Sequence, residues 1–91
     1  MAIKTITVHR VEVEVPWRTW ILFGESREYE RMMIEATVLS EKSGNDRYGK
    51  IVEYAEFDNL ASAQAAEAKM VNVVRYFEQK QIEYDKEIES E

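Results

Sequence analysis

From Asp58 to Glu91 the chain contains neither glycine nor proline and is rich in Ala, Glu and Lys. No other stretch restricts the fold as strongly. Leu60, Ala63, Glu67, Met70, Val74, Phe77, Gln81, Tyr84 and Ile88 follow one another at intervals of three and four. That spacing puts side chains on one face of an α-helix. Asp58 or Asn59 supplies an oxygen able to accept the free N–H groups of a first turn. The spacing predicts one helix over 59–89, roughly 46 Å long at 1.5 Å per residue. A compact domain of this size spans only about 30–35 Å, so its own sheet cannot cover such a helix. Ala65, Ala66, Val71 and Val73 broaden the apolar stripe in the first half, which suits packing on a sheet. The second half is narrower, as in a helix–helix seam. Val74, Phe77, Gln81, Tyr84 and Ile88 are therefore the expected oligomer interface, and a homo-oligomer is expected. Residues 78–91 hold six acidic and two basic side chains, a balance of −4 out of a net −6. Like tails would repel in a parallel pairing, so an antiparallel or crossed one is favoured, tightened by salt.

The N-terminal two thirds reads as strands. Residues 2–15 are rich in Ile, Val and Thr with alternation, but the apolar side switches near His9 and Arg10, which suggests a bulge or bend there. Pro16 suits an edge or a turn. Residues 17–23, WRTWILF, read as a second strand with two apolar faces. Trp17, Thr19, Ile21 and Phe23 would point one way, and Arg18, Trp20 and Leu22 the other, so one face needs a helix, a subunit or a ligand to cover it. For 30–41 two readings compete. As a helix capped by Ser26, Tyr29, Met32, Met33 and Ala36 share a face, but Ile34 and Val38 fall among charges. As a strand, Met32, Ile34, Ala36 and Val38 share a face without violation, and the strand reading is preferred. SGNDRYG is then a hairpin loop, with Gly44 and Asn45 supplying left-handed backbone, and 48–57 is the last strand. The predicted fold is α+β over a single domain, 1–91. It has an antiparallel sheet of three to four strands with one long C-terminal α-helix packed on one face.

Composition narrows the chemistry. The absence of cysteine rules out disulfides and thiolate metal sites. There is no apolar run long enough to span a membrane and no signal-peptide core, so a cytoplasmic protein with no membrane partner is expected. The acidity argues against nucleic acid as a partner. His9 is the only histidine, which leaves a zinc site short of ligands, and no serine sits in a nucleophile elbow. Glu12 and Glu14 read as solvated neighbours rather than an acid/base pair. Gly44 to Lys50 matches part of a phosphate-binding loop, but Ile51 stands where Mg²⁺ would need a hydroxyl, Asp46 brings a negative charge and a strand follows. No catalytic residue, metal site or cofactor is expected.

The arginines offer more. Arg10, Arg18, Arg27, Arg31 and Arg47 lie near Trp17, Trp20, Tyr29 and Tyr48 in sequence, and arginine beside an aromatic ring grips anions and bases. Arg10, Arg18, Trp17, Trp20, Arg47 and Tyr48 form the candidate ligand set. The expected function is that of a small non-enzymatic binding protein, of the kind found among phage and viral accessory proteins. It would act by occupying a partner protein as an inhibitor, adaptor or accessory subunit. The alternative is an oligomer that holds an anionic small ligand, such as a nucleotide, at a subunit interface.

Overall fold

The structure, a computed structural model, describes Ile3 and residues 7–90. The chain runs β1 (His9–Val15), α1 (Trp17–Phe23), α2 (Arg27–Ala36), β2 (Lys42–Arg47), β3 (Ile51–Phe57) and α3 (Leu60–Ser90). The fold is α+β: one antiparallel sheet in the order β1-β3-β2, with the three helices.

The first strand is shorter than 2–15, and most of residues 2–6 lie outside the described residues. From His9 to Val15 the chain pairs one for one with Phe57 to Ile51, so this stretch contains no bulge. The switch of apolar side marks where the sheet begins: Val8 precedes the strand and is half exposed. Within the sheet, Val11 and Val15 of β1 and Ile51, Ala55 and Phe57 of β3 are buried on one face. Arg10, Glu12, Tyr54 and Glu56 take the other, since successive strand side chains point to opposite sides.

WRTWILF is a helix, not a strand. Pro16 precedes it, where a missing N–H costs nothing, and its carbonyl accepts from Trp20 N at 3.0 Å. The helix stops at Gly24, whose N–H reaches the Trp20 carbonyl at 2.8 Å. A Cβ at Gly24 would meet the Trp20 indole and stand 2.7 Å from that carbonyl oxygen, so only glycine fits beneath the ring. The β-branched and aromatic residues that favoured a strand are placed by tertiary burial instead. Thr19 and Trp20 are buried, and Phe23 packs 5.5 Å from Phe77 between ring centroids.

Residues 27–36 are also helical, against the preferred strand reading. Ser26 Oγ accepts from Tyr29 N at 3.2 Å, and Glu28 and Glu30 lie in the first turn, where acids suit the helix dipole. Tyr29, Met33 and Ala36 form the buried stripe. Ile34 and Val38, which argued against a helix, are simply exposed. The segment read as a hairpin loop is largely strand β2, antiparallel to β3 with Arg47 opposite Ile51. The turn is Tyr48–Gly49–Lys50, and Gly49, at φ 76°, supplies its left-handed residue.

Asn59 caps α3, its Oδ1 accepting from Ser62 N at 3.1 Å. The helix lies chiefly across β1, with some contact to β3, and α1 and α2 pack beside it. Ala63, Ala66, Met70, Val73, Val74 and Phe77 are its buried residues. Phe77 is fully buried and meets Phe23, Tyr29 and Tyr76 at centroid distances of 5.1 to 5.5 Å. Burial of a side chain this large contributes about 1.5–3 kcal/mol. Beyond Phe77 no residue of α3 is buried. The radius of gyration, 15.8 Å, exceeds the ~12 Å expected of a compact chain this long, and the overhanging helix accounts for the excess.

Candidate functional site

The core face of the sheet is covered unevenly. Over β1 it is apolar and lies under α3. Over β2 the side chains on the same face are Ser43, Asn45 and Arg47, and α2 packs against α3 rather than down onto them. The result is a groove of about 400 Å³ between α2 and β2, open at the sheet edge. Met33 and Ile34 line its helical wall, Trp20 closes one end, and Glu53 and Tyr29 are part of its lining.

Glu53 is the unusual residue. It sits at an inward position of β3, between Ile51 and Ala55, and only 5% of its surface is exposed. Tyr29 donates its hydroxyl to Glu53 Oε1 at 3.1 Å. Burial pushes the Glu53 carboxyl above the usual carboxylate range, against the lowering pull of the Tyr29 hydroxyl and of Arg47. Burial, reinforced by the nearby Glu53 charge, likewise drives the Tyr29 hydroxyl well above the ordinary phenol range. It stays protonated and remains a donor. At the mouth, the Arg47 guanidinium lies over the Trp20 ring, 4.7 Å from its centroid. Trp20 in turn meets Tyr29 edge-on at 5.7 Å. The exposed Arg47 therefore lies on the aromatic wall, near enough to the buried acid for its charge to be felt there.

Of the candidate ligand set, the structure unites Trp20 and Arg47 at this groove. Trp17 is 67% exposed and lines an adjoining depression with Arg47 and Lys50. The other three lie elsewhere. Arg10 is on the opposite face of the sheet, where it binds Glu12 (2.8 Å), Asp46 (3.0 Å) and Glu56 (3.1 Å) and stacks on Tyr54 at 4.1 Å. It clamps all three strands, with Nε, Nη1 and Nη2 each already engaged by a carboxylate. Arg18 is paired with Asp85 at 2.7 Å. The Arg18 guanidinium, helped by Gln81, holds the Asp85 carboxyl below its usual range. Tyr48 is exposed at the hairpin turn on the Arg10 side. Charge also weighs on the groove's chemistry: even with Glu53 uncharged, Glu25 and Glu30 line it against the single cation Arg47, a balance that repels an anion.

Of the five residues expected at an oligomer interface, Val74 and Phe77 are buried in the protomer's own core. Gln81 is half-buried, facing Thr19 at 3.3 Å and Asp85 at 2.6 Å. Tyr84 and Ile88 remain exposed, at 44% and 49%.

Sequence reasoning missed Glu53, Tyr29 and the groove. A signal existed. In IVEYAEF, Glu53 shares its parity with Ile51, Ala55 and Phe57, so an acid stands where the strand pattern demands an inward apolar residue.

Among the described residues no cluster of His, Asp or Glu is arranged to hold a metal ion, and no helix is long and apolar enough to cross a membrane. No protein-family model, curated protein or solved structure matches this chain.

Proposed function

We propose that this chain is a non-enzymatic binding protein that works as a homo-oligomer and acts by occupying a partner protein. One observation carries the reading: α3 extends beyond its own fold, with polar contacts to α1 at Gln81 and Asp85. Residues 78–90 of α3 include no buried side chain, and the helix continues for roughly 20 Å past Phe77 at 1.5 Å per residue. An end of this kind would ordinarily fray. Here the Arg18–Asp85 pair and the Thr19–Gln81 contact tie its first turns to α1. Ile82, Tyr84 and Ile88 are exposed along this end of the helix, and α1 adds exposed Trp17 and Ile21. Aromatic and aliphatic residues displayed in this way are the usual anchors of protein interfaces. The acidic end of α3 favours an antiparallel arrangement of two copies over a parallel one.

The test is sedimentation or light scattering of the intact chain beside Tyr84→Asp/Ile88→Asp, which leaves every buried residue in place. The unmodified chain should exceed its 10.7 kDa monomer mass, and the double variant should return to it with the same circular dichroism spectrum, its melting temperature lower only by the stabilisation that association gives. Tagged forms of both would then be used to capture partners. A strict monomer, with identical capture by both forms, would refute the proposal.

A further inference from the structure

We infer that the groove between α2 and β2 is a binding site for a small organic cation, an alkylammonium or guanidinium group that donates to Glu53 and lies against Trp20. The inference is independent of the overhanging end of α3, and a monomeric chain would keep the groove unchanged.

The first argument concerns a hydrogen bond not made. Glu53 is 95% removed from solvent, and among the described residues only its Oε1 has a partner, the Tyr29 hydroxyl. Among the described residues no buried side-chain oxygen or nitrogen lacks a partner. Glu53 Oε2 is therefore not sealed in the core; its remaining surface faces the groove that Glu53 lines. Ionised, this carboxyl is acceptor-only; burial favours its neutral form, so a bound cation would hold it in the charged form and bring the opposite charge that Glu53 otherwise lacks. Held in a largely dehydrated setting, it gains more from a charged donor than it would in water.

The second argument is the seat beside it. Trp20 is packed edge-on against Tyr29, and its face already holds a guanidinium, that of Arg47. The ring is thus in position for a cation–π contact. Arg47 comes from the edge strand, is exposed and forms no ion pair among the described residues; its Nε meets only Asn45 Oδ1, at 3.3 Å. It can swing out. The third argument is charge: Glu25 and Glu30 line the groove against Arg47 alone, so the field attracts a cation even with Arg47 in place. Arg47 is then a resident competitor, occupying the ring face a ligand would use. About 400 Å³ accommodates a molecule the size of a short diamine or an alkylguanidine.

This gives a test with a sign. Agmatine, which carries one guanidinium and one ammonium, would be titrated into the intact chain by calorimetry, with the indole N–H resonances followed by NMR. AMP serves as the anionic counterpart. Agmatine should bind saturably and shift the Trp20 indole, and AMP should not. Glu53→Gln, which keeps the shape and can still accept from Tyr29, should weaken agmatine at least tenfold. Glu30→Gln, at the exposed rim, should weaken it by a smaller factor in a chain whose core is untouched. Arg47→Ala should tighten it several-fold by vacating the Trp20 face. Equal agmatine binding by the unmodified chain and Glu53→Gln would mean general attraction to an acidic protein and would overturn the inference. So would the absence of saturable binding in both the unmodified chain and Arg47→Ala, or AMP binding that Arg47→Ala abolishes.

Discussion

The same face of the same sheet ends in two different ways. Over β1 it is a dry core beneath α3, with Val11 and Val15 below and Met70, Val74 and Phe77 in the same buried cluster. Over β2 it is a groove floored by polar side chains and a buried acid. The backbone is regular on both sides, and the pairing to β3 is continuous on both. The difference lies in the inward-facing side chains. Valines on β1 gain by drawing a helix down onto them, about 25 cal/mol for each Å² of apolar surface covered. Ser43, Asn45 and Arg47 offer no such gain, and covering them would cost desolvation. So α2 leans on α3 and leaves the far flank open. The flank is left as a concave, accessible surface on which a few polar groups stand beside aromatic and apolar side chains, the usual make-up of a ligand site.

The comparison can be broken most severely on the dry side. Phe77→Ala should lower stability by about 3–5 kcal/mol, because Phe77 joins α1, α2 and α3 through Phe23, Tyr29 and Tyr76. Urea unfolding would show this as a large fall in midpoint. A loss under about 1 kcal/mol would mean that the three helices do not share one core.

Gly24→Ala tests the boundary between the two flanks. The new methyl would press the Trp20 indole away from Gly24, and overpacking of this kind costs about 1–3 kcal/mol. Since Trp20 closes one end of the groove, the variant should also displace the Trp20 indole resonance. An unchanged melting temperature and spectrum would show that the ring does not lie where described.

On the open flank the effect is smaller and depends on pH. Burial raises the Glu53 carboxyl above its ordinary value. Between the unfolded glutamate value, ~4.3, and the raised folded value, the native chain holds a proton that the unfolded chain has lost. Stability from this group is therefore complete below the ordinary value and is lost as pH rises through the raised one. Glu53→Gln should flatten that decline in a series of urea midpoints taken upward from pH 4. A decline of the same slope in both forms would place its cause elsewhere. The smallest expected effect is on the overhanging end of α3. At concentrations too low for association, Tyr84→Asp/Ile88→Asp should change stability by no more than about 0.5 kcal/mol, because neither side chain is buried in the protomer. A large loss there would show that α3 depends on those residues for its own support.

Much of this molecule is legible in its sequence, and the limits are instructive. The long helix is read almost to the residue, because thirty-odd positions without Gly or Pro and with an unbroken stripe repeat one local signal many times. The strand at the end of the hairpin and the start of β1's alternation are legible for the same reason. WRTWILF and residues 27–36 are not. Each is short, and its β-like composition competes with a cap and a breaker whose weight depends on what lies nearby. Ile34 counts against a helix only if every apolar residue must be buried; it is exposed along the groove.

By itself, then, the sequence determined the local periodicities: one helix too long for its own sheet, an alternating strand, and a hairpin whose position was misread by a few residues. Only the tertiary structure decided which flank of the sheet would be covered, that Phe77 belongs to the core while Tyr84 does not, and that Trp20, Arg47, Tyr29 and Glu53 meet. These four come from four separate elements. Their meeting follows from how α1, α2 and the hairpin settle around α3, and that packing is fixed by long-range burial, to which local spacing is blind.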